Sequence, residues 1–236
     1  MTIPEEQVAE PLVDTKRERL AQLLKEQIKL PSAKSEGDSP ISTIQPAPEQ
    51  RFDPFPLTEI QQAYWVGRSM AYELGDISIH AYIELDCQDL DWERLEHAWS
   101  RMIDRHDMLR AIILPDGQQQ VLKSVPAYKF QKIDLCGFTP EGQASELSSL
   151  REQLSHQVSP VDRWPAFDIR LAFLDRHLSR LFISMDLLHC DGGSLMLLID
   201  EWIQCYQDPN KRFSPLELTY RDYVLAGTGL KESSIY

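Results

Sequence analysis

The sequence predicts an α+β layer architecture, a mixed β-sheet packed against helices. Three observations carry this. Residues 77–85 alternate without a break, with Ile77, Ile79, Ala81, Ile83 and Leu85 on one face and Ser78, His80, Tyr82 and Glu84 on the other. That is the pattern of a half-buried strand. Leu95, Ala98, Trp99, Met102 and Ile103 fall on one helical face. Strand-like and helix-like stretches then follow one another without the regular alternation of a parallel α/β sheet.

Residues 1–14 are polar and acidic and form no core of their own. Residues 15–30 predict a short helix with Leu20, Leu23, Leu24 and Ile28 on one face. Pro- and Ser-rich residues 31–50 read as a linker. Residues 1–50 are therefore a mobile segment whose helix can serve as a docking element, and residues 51–236 are the globular part. Thr58 with Gln61 three residues later makes a capping box. It opens a helix that ends near Gly67 and turns Ile60, Tyr64 and Trp65 toward a core. His80 stands on the polar face of its strand as a solvated residue.

Asp91 caps the next helix, with Leu90 and Leu95 placed to staple across the cap. Residues 105–114 lead into a second strand, Pro115-Asp116-Gly117 turns, and a return strand follows. Residues 128–135 predict another strand, and residues 141–158 a helix with Leu147, Leu150 and Leu154 in phase. Two strands joined at residues 175–179 come next, then a helix carrying Leu195, Leu198, Ile199 and Trp202. A last helix occupies the C-terminal stretch.

A chain of 236 residues with 42% hydrophobic content builds one domain or two small ones. A net charge of -13 argues against a broad nucleic-acid-binding face. No apolar run is long enough to span a bilayer, and the N-terminus lacks the apolar core of a secretory signal. Cys87, Cys136, Cys190 and Cys205 have no C-x-x-C spacing. They read as reduced thiols of a cytoplasmic protein, and no metal-ligand set stands out.

The chemistry gathers in residues 181–198, LFISMDLLHCDGGSLMLL. An apolar run reaches a glycine pair and leaves as an apolar helix. Asp186, Asp191 and Ser194 sit at that turn. Charged groups beside a core are costly unless paired or hydrogen-bonded, so the turn is a functional site or a salt-bridged brace.

Five segments carry a resemblance: FPLTEIQQAYWVGR (55–68), RHDMLRAIIL (105–114), WPAFDIRL (164–171), DLLHCDGGS (186–194) and TYRDYVLA (219–226). Together they resemble heterocyclization domains, the cyclizing relatives of condensation domains in non-ribosomal peptide synthetases. The resemblance runs from about Phe52 to the end. AYWVGR and D-x-x-x-x-D-x-x-S are its most specific parts. Condensation domains carry H-H-x-x-x-D-G at this turn. Aligning the final Asp-Gly with Asp191-Gly192 puts Asp186 at the first histidine and Leu187 at the second, the expected general base. Leucine moves no proton, and His189 stands two residues away from that position.

The resemblance implies one lobe of a two-lobed fold whose lobes are both built like chloramphenicol acetyltransferase. It implies amide formation between a carrier-bound acyl or peptidyl thioester and Cys, Ser or Thr, then cyclodehydration to a thiazoline or oxazoline. Asp186, Asp191 and Ser194 are the implied catalytic candidates. Arg105 and Arg110 are the candidates to brace Asp191. Asp186 stands between bracing and substrate contact, and Ser194 between substrate contact and capping the following helix. The implied partners are peptidyl or aryl carrier proteins and the second lobe, which brings a threonine and an aspartate of its own. No cofactor is held by the chain, and the phosphopantetheine arm of a carrier protein visits the tunnel. Two other readings stand beside this one. One is a non-catalytic module that docks carrier proteins. The other, a free-standing acyltransferase, is disfavoured by Leu187 and by a length about half that of a two-lobed domain.

Overall fold

A computed structural model describes residues 44–68 and 79–232. The helix expected over residues 15–30, most of the linker, and Ile77 and Ser78 lie outside the described residues. Five helices are described: α1 (Glu59–Gly67), α2 (Trp92–Arg105), α3 (Pro140–Ser155), α4 (Gly192–Gln207) and α5 (Tyr220–Glu232). Seven strands are described: β1 (Phe55–Pro56), β2 (His80–Gln88), β3 (Ala111–Ile113), β4 (Gln118–Val121), β5 (Gln131–Asp134), β6 (Phe167–Phe173) and β7 (Leu178–Asp186). None of the described helices is long and apolar enough to cross a membrane.

The main sheet has the order β2-β7-β6-β5. The β5–β6 pair is parallel and the other two are antiparallel. Its strands pack helices on both faces. Ile83 and Leu85 from β2, Ile169 and Leu171 from β6, and Leu181, Ile183 and Met185 from β7 meet α2 and α4. Ala172 and Phe182 face the other way, onto Leu147, Leu150 and Leu154 of α3. So β7 is buried on both sides, which explains its continuous apolar run. A smaller sheet, β1-β4-β3, lies under α1 and α5 through two minor clusters.

The α2 stripe is buried as the sequence predicts, and Asp91 caps it by accepting the Arg94 N–H at 3.0 Å. Trp99 lies tilted at 4.7 Å from Trp202 and edge-to-face at 5.2 Å from Phe167, between ring centroids. The alternation in β2 holds through Ile83, Leu85 and Cys87, and the strand runs three residues beyond the expected end. β5 is shorter than predicted, and α3 stops at Ser155, where His156 leaves helical geometry.

One correction concerns α1. Its capping box forms, but Ile60 is 66% exposed and Gln61 is the buried residue. The same amide that closes the box reaches buried acceptors, so a polar residue occupies the inward position.

Truncating Trp99 to Ala is expected to cost about 3–5 kcal/mol of folding stability, because a fully buried aromatic leaves a cavity. Urea unfolding should show the midpoint falling at unchanged slope.

Candidate active-site cleft

The site is built from the end of β7. Asp186 closes that strand at 3% exposure, and its backbone N–H donates to Ala166 O at 3.0 Å. A buried carboxylate at this point needs donors. Arg68, which follows α1, supplies one nitrogen, Nη2, to both Asp186 oxygens. The Leu188 N–H adds a bond to Oδ1 at 2.8 Å. Asp186 is thus held within the wall of the lobe by a residue 118 positions earlier in the chain.

Asp191 ends the turn and begins α4. It is the N-cap, accepting the Ser194 N–H at 2.7 Å. The Ser194 backbone N–H and hydroxyl hold its carboxyl below the usual carboxylate range. Ser194 therefore lies three residues past the cap, contrary to the capping role expected of it. An acidic N-cap also meets the positive end of the helix dipole.

Arg105 and Arg110 do not reach Asp191. Arg105 pairs with Glu201 at 2.8 Å and donates to Ser214 O at 2.7 Å. Arg110 pairs with Asp107 at 2.8 Å, and Asp107 also takes Arg51 at 2.8 Å. Both arginines anchor α2 and the short helical turn after it, and neither braces the acidic turn. Burial raises the Glu201 carboxyl, but Arg105 and His106 outweigh it and hold that group below its ordinary range.

A cleft of about 610 Å³ opens beside the turn. Leu187, His189, Asp191 and Ser194 line it from one side, and Thr58, Gln61 and Tyr64 from α1. Arg105, His106, Leu216, Leu218 and Tyr220 line it as well. The three catalytic candidates therefore meet at one place, Asp191 and Ser194 lining the cleft and Asp186 behind it, and Arg105 lines the same cleft without reaching Asp191. At the position aligned with the general-base histidine of condensation domains, Leu187 lines the cleft.

Arg68, to which sequence reasoning assigned no role, and Gln61, read there only as closing the capping box, are the supports of the turn. Gln61 Nε2 donates to Leu188 O at 2.9 Å and to Gln119 Oε1 at 3.0 Å. Gln119 returns a bond to Gln61 Oε1 at 3.0 Å and also donates to Pro56 O. One short helix therefore grips the turn twice, through Gln61 and through Arg68. Both residues stand in the AYWVGR-containing segment, but nothing in their spacing names their partners.

His189 also lines the cleft. Neither ring nitrogen has a hydrogen-bond partner among the described residues. Burial lowers its pKa to about 4, with Asp186 raising it and Arg68 lowering it again. The imidazole is therefore neutral at pH 7.

Two outcomes are expected. Replacing Arg68 with Met strips a buried carboxylate of its cation and costs about 3–5 kcal/mol, read by chemical unfolding. In addition, a proton that the unfolded His189 accepts below pH 6.5 is refused by the folded one until about pH 4. Stability from this group is complete above pH 6.5 and is lost as pH falls toward 4. Between pH 6.5 and 5, the urea midpoint of the wild type should fall more steeply than that of His189→Leu.

Comparison with known proteins follows the same lines. Residues 52–235 match the family model described as the condensation domain. Pyochelin synthetase PchF of Pseudomonas aeruginosa is 38% identical over 178 residues, covering 75% of this chain and 10% of that protein. Phenyloxazoline synthase MbtB of Mycobacterium tuberculosis is 32% identical over 176 residues, covering 74% of this chain and 12% of that protein. The solved cyclization-docking bidomain of the EpoB synthetase from Sorangium cellulosum superposes with a TM-score of 0.78 at 39% identity. That match covers 94% of this chain and 42% of the solved one. The chain spans a small part of these curated relatives and less than half of the solved chain. With the model matched across its globular part and a cyclization domain superposing on the same residues, the chain belongs to the condensation-domain family, and within it is similar to cyclization members.

Proposed function

We propose that residues 51–236 form the N-terminal lobe of a heterocyclization domain in a non-ribosomal peptide synthetase. In this reading the whole domain joins a carrier-bound acyl or peptidyl thioester to Cys, Ser or Thr. It then expels water to close a thiazoline or oxazoline. The observation that carries the reading is Leu187 in the wall of a cleft whose turn is bounded by Asp186 and Asp191. The position aligned with the general base holds a leucine, and His189 stands two residues on from it, while the acidic pair matches the cyclization pattern.

The geometry divides the labour among the three candidates. Asp186 is committed to Arg68 and Leu188 N–H, so it shapes the wall and does not touch substrate. Asp191 is ionised and a weak base, since its carboxyl sits below the usual range. Its task is to fix the start of α4 beside the cleft. Ser194 is exposed on the first turn of α4 and lines the cleft, placing it to contact the reacting groups. Proton movement in the ring-closing step falls to groups of the second lobe. Peptidyl or aryl carrier proteins deliver both substrates on phosphopantetheine arms, and the chain itself holds no cofactor.

A second reading concerns residues 1–50 alone. A solved EpoB cyclization-docking bidomain matches over 98% of this chain, which favours a docking role for that segment beside the lobe.

Incubated with loaded carrier proteins, the chain is expected to give no product that has lost one water. Product should appear when the polypeptide completing the domain is present. In that complete system, Asp186→Asn and Asp191→Asn should lower ring formation at least tenfold by mass spectrometry. Turnover by the lobe alone would refute the two-lobe reading, and unchanged output from both variants would favour a docking module.

A further inference from the structure

Arg221, on the first turn of α5, is 8% exposed. Its Nε and Nη1 have no hydrogen-bond partner among the described residues. The adjacent carboxylate is taken, because Asp222 accepts the Ala47 N–H at 3.2 Å and the Thr219 N–H at 2.9 Å. A charge held in this way is costly until an acceptor reaches it.

The surroundings describe the missing acceptor. Leu225 stands four residues on, over the same helical stripe, and is 37% exposed. Tyr223 of the same helix is exposed, as are Leu216 and Leu218, which lead into it and line the cleft. Leu225, one turn on, is uncovered, and a partner seated on it excludes water from Arg221. That strengthens an ion pair there. We propose that Arg221 is the anchor of an interface on α5, and that its occupant is a carboxylate-bearing segment of the polypeptide that completes the domain. The inference rests on the two-lobe reading above. The length argument agrees with it, since the solved EpoB chain matched over 45% of its length carries more than half of itself beyond this region. The described N-terminal strap reaches α5 at Asp222, one residue away, and supplies no acceptor to Arg221 Nε or Nη1.

The test compares one substitution in two settings. In this chain alone, Arg221→Met should raise Tm by about 3 °C, because it removes a charge with nothing to balance it. In a single polypeptide in which the rest of the EpoB cyclization domain follows this chain, the same change should lower Tm by about 3 °C or more, with Arg221→Lys in between. If that fusion unfolds in one step and Arg221→Met shifts both proteins in the same direction, the inference is overturned and the two-lobe reading stands. If the unsubstituted fusion unfolds in two independent steps, the two-lobe reading fails and takes the inference with it. If deleting residues 1–43 from the chain alone abolishes its response to Arg221→Met, the N-terminal segment is the occupant and the inference is overturned.

Discussion

The pairing of Arg68 with Asp186 is the constraint on which the cleft depends. β7 carries Asp186 into the lobe's interior, where an uncompensated carboxylate would be costly. Arg68 supplies the cation, and doing so pins α1 across the end of the strand. Gln61, seven residues earlier, takes the carbonyl two positions beyond Asp186. Between these two grips the backbone of residues 186–188 has little freedom, and Leu187 lines the cleft as a consequence. Such a buried pair adds little net stability over a well-packed apolar pair, and its value lies in fixing one geometry.

This arrangement changes what the acidic residues contribute. In the register of the condensation family, the turn is where an imidazole would face substrate. Here the two carboxylates are spent on structure: one closes an ion pair and the other caps a helix. The donors around Asp191 keep its carboxyl below the ordinary range, which suits a scaffold and not a proton shuttle. The lobe then offers a shaped wall, a serine on its surface and an apolar lining.

Much of this was legible in the sequence, for reasons that differ by element. The α2 stripe, the β2 alternation and the capping box of α1 are local patterns, and each was read from spacing alone. The acidic turn was also local, with both carboxylates and the serine within nine residues. The partners were not. Arg68 finds Asp186 across 118 positions and Arg105 finds Glu201 across 96. Charge and proximity in sequence gave no means of preferring these pairs over Asp191 with Arg105 or Arg110. Ile60 was misplaced because hydrophobicity outranked Gln61 in a helix whose inward position is polar, and only the tertiary acceptors at Gln119 and Leu188 explain that choice.

The register of the main sheet has a consequence for how the lobe is made. β2 lies at residues 80–88, yet its partner strand is β7, at residues 178–186, and the two pair along their whole length in opposite directions. Until β7 has left the ribosome, β2 has no neighbour in its sheet, and the α2 stripe beside it lacks the strand it packs on. Roughly a hundred residues must wait, loosely collapsed, for one strand to arrive. That strand is the one ending in Asp186, so completion of the sheet and assembly of the acidic turn are a single late event in the birth of the lobe.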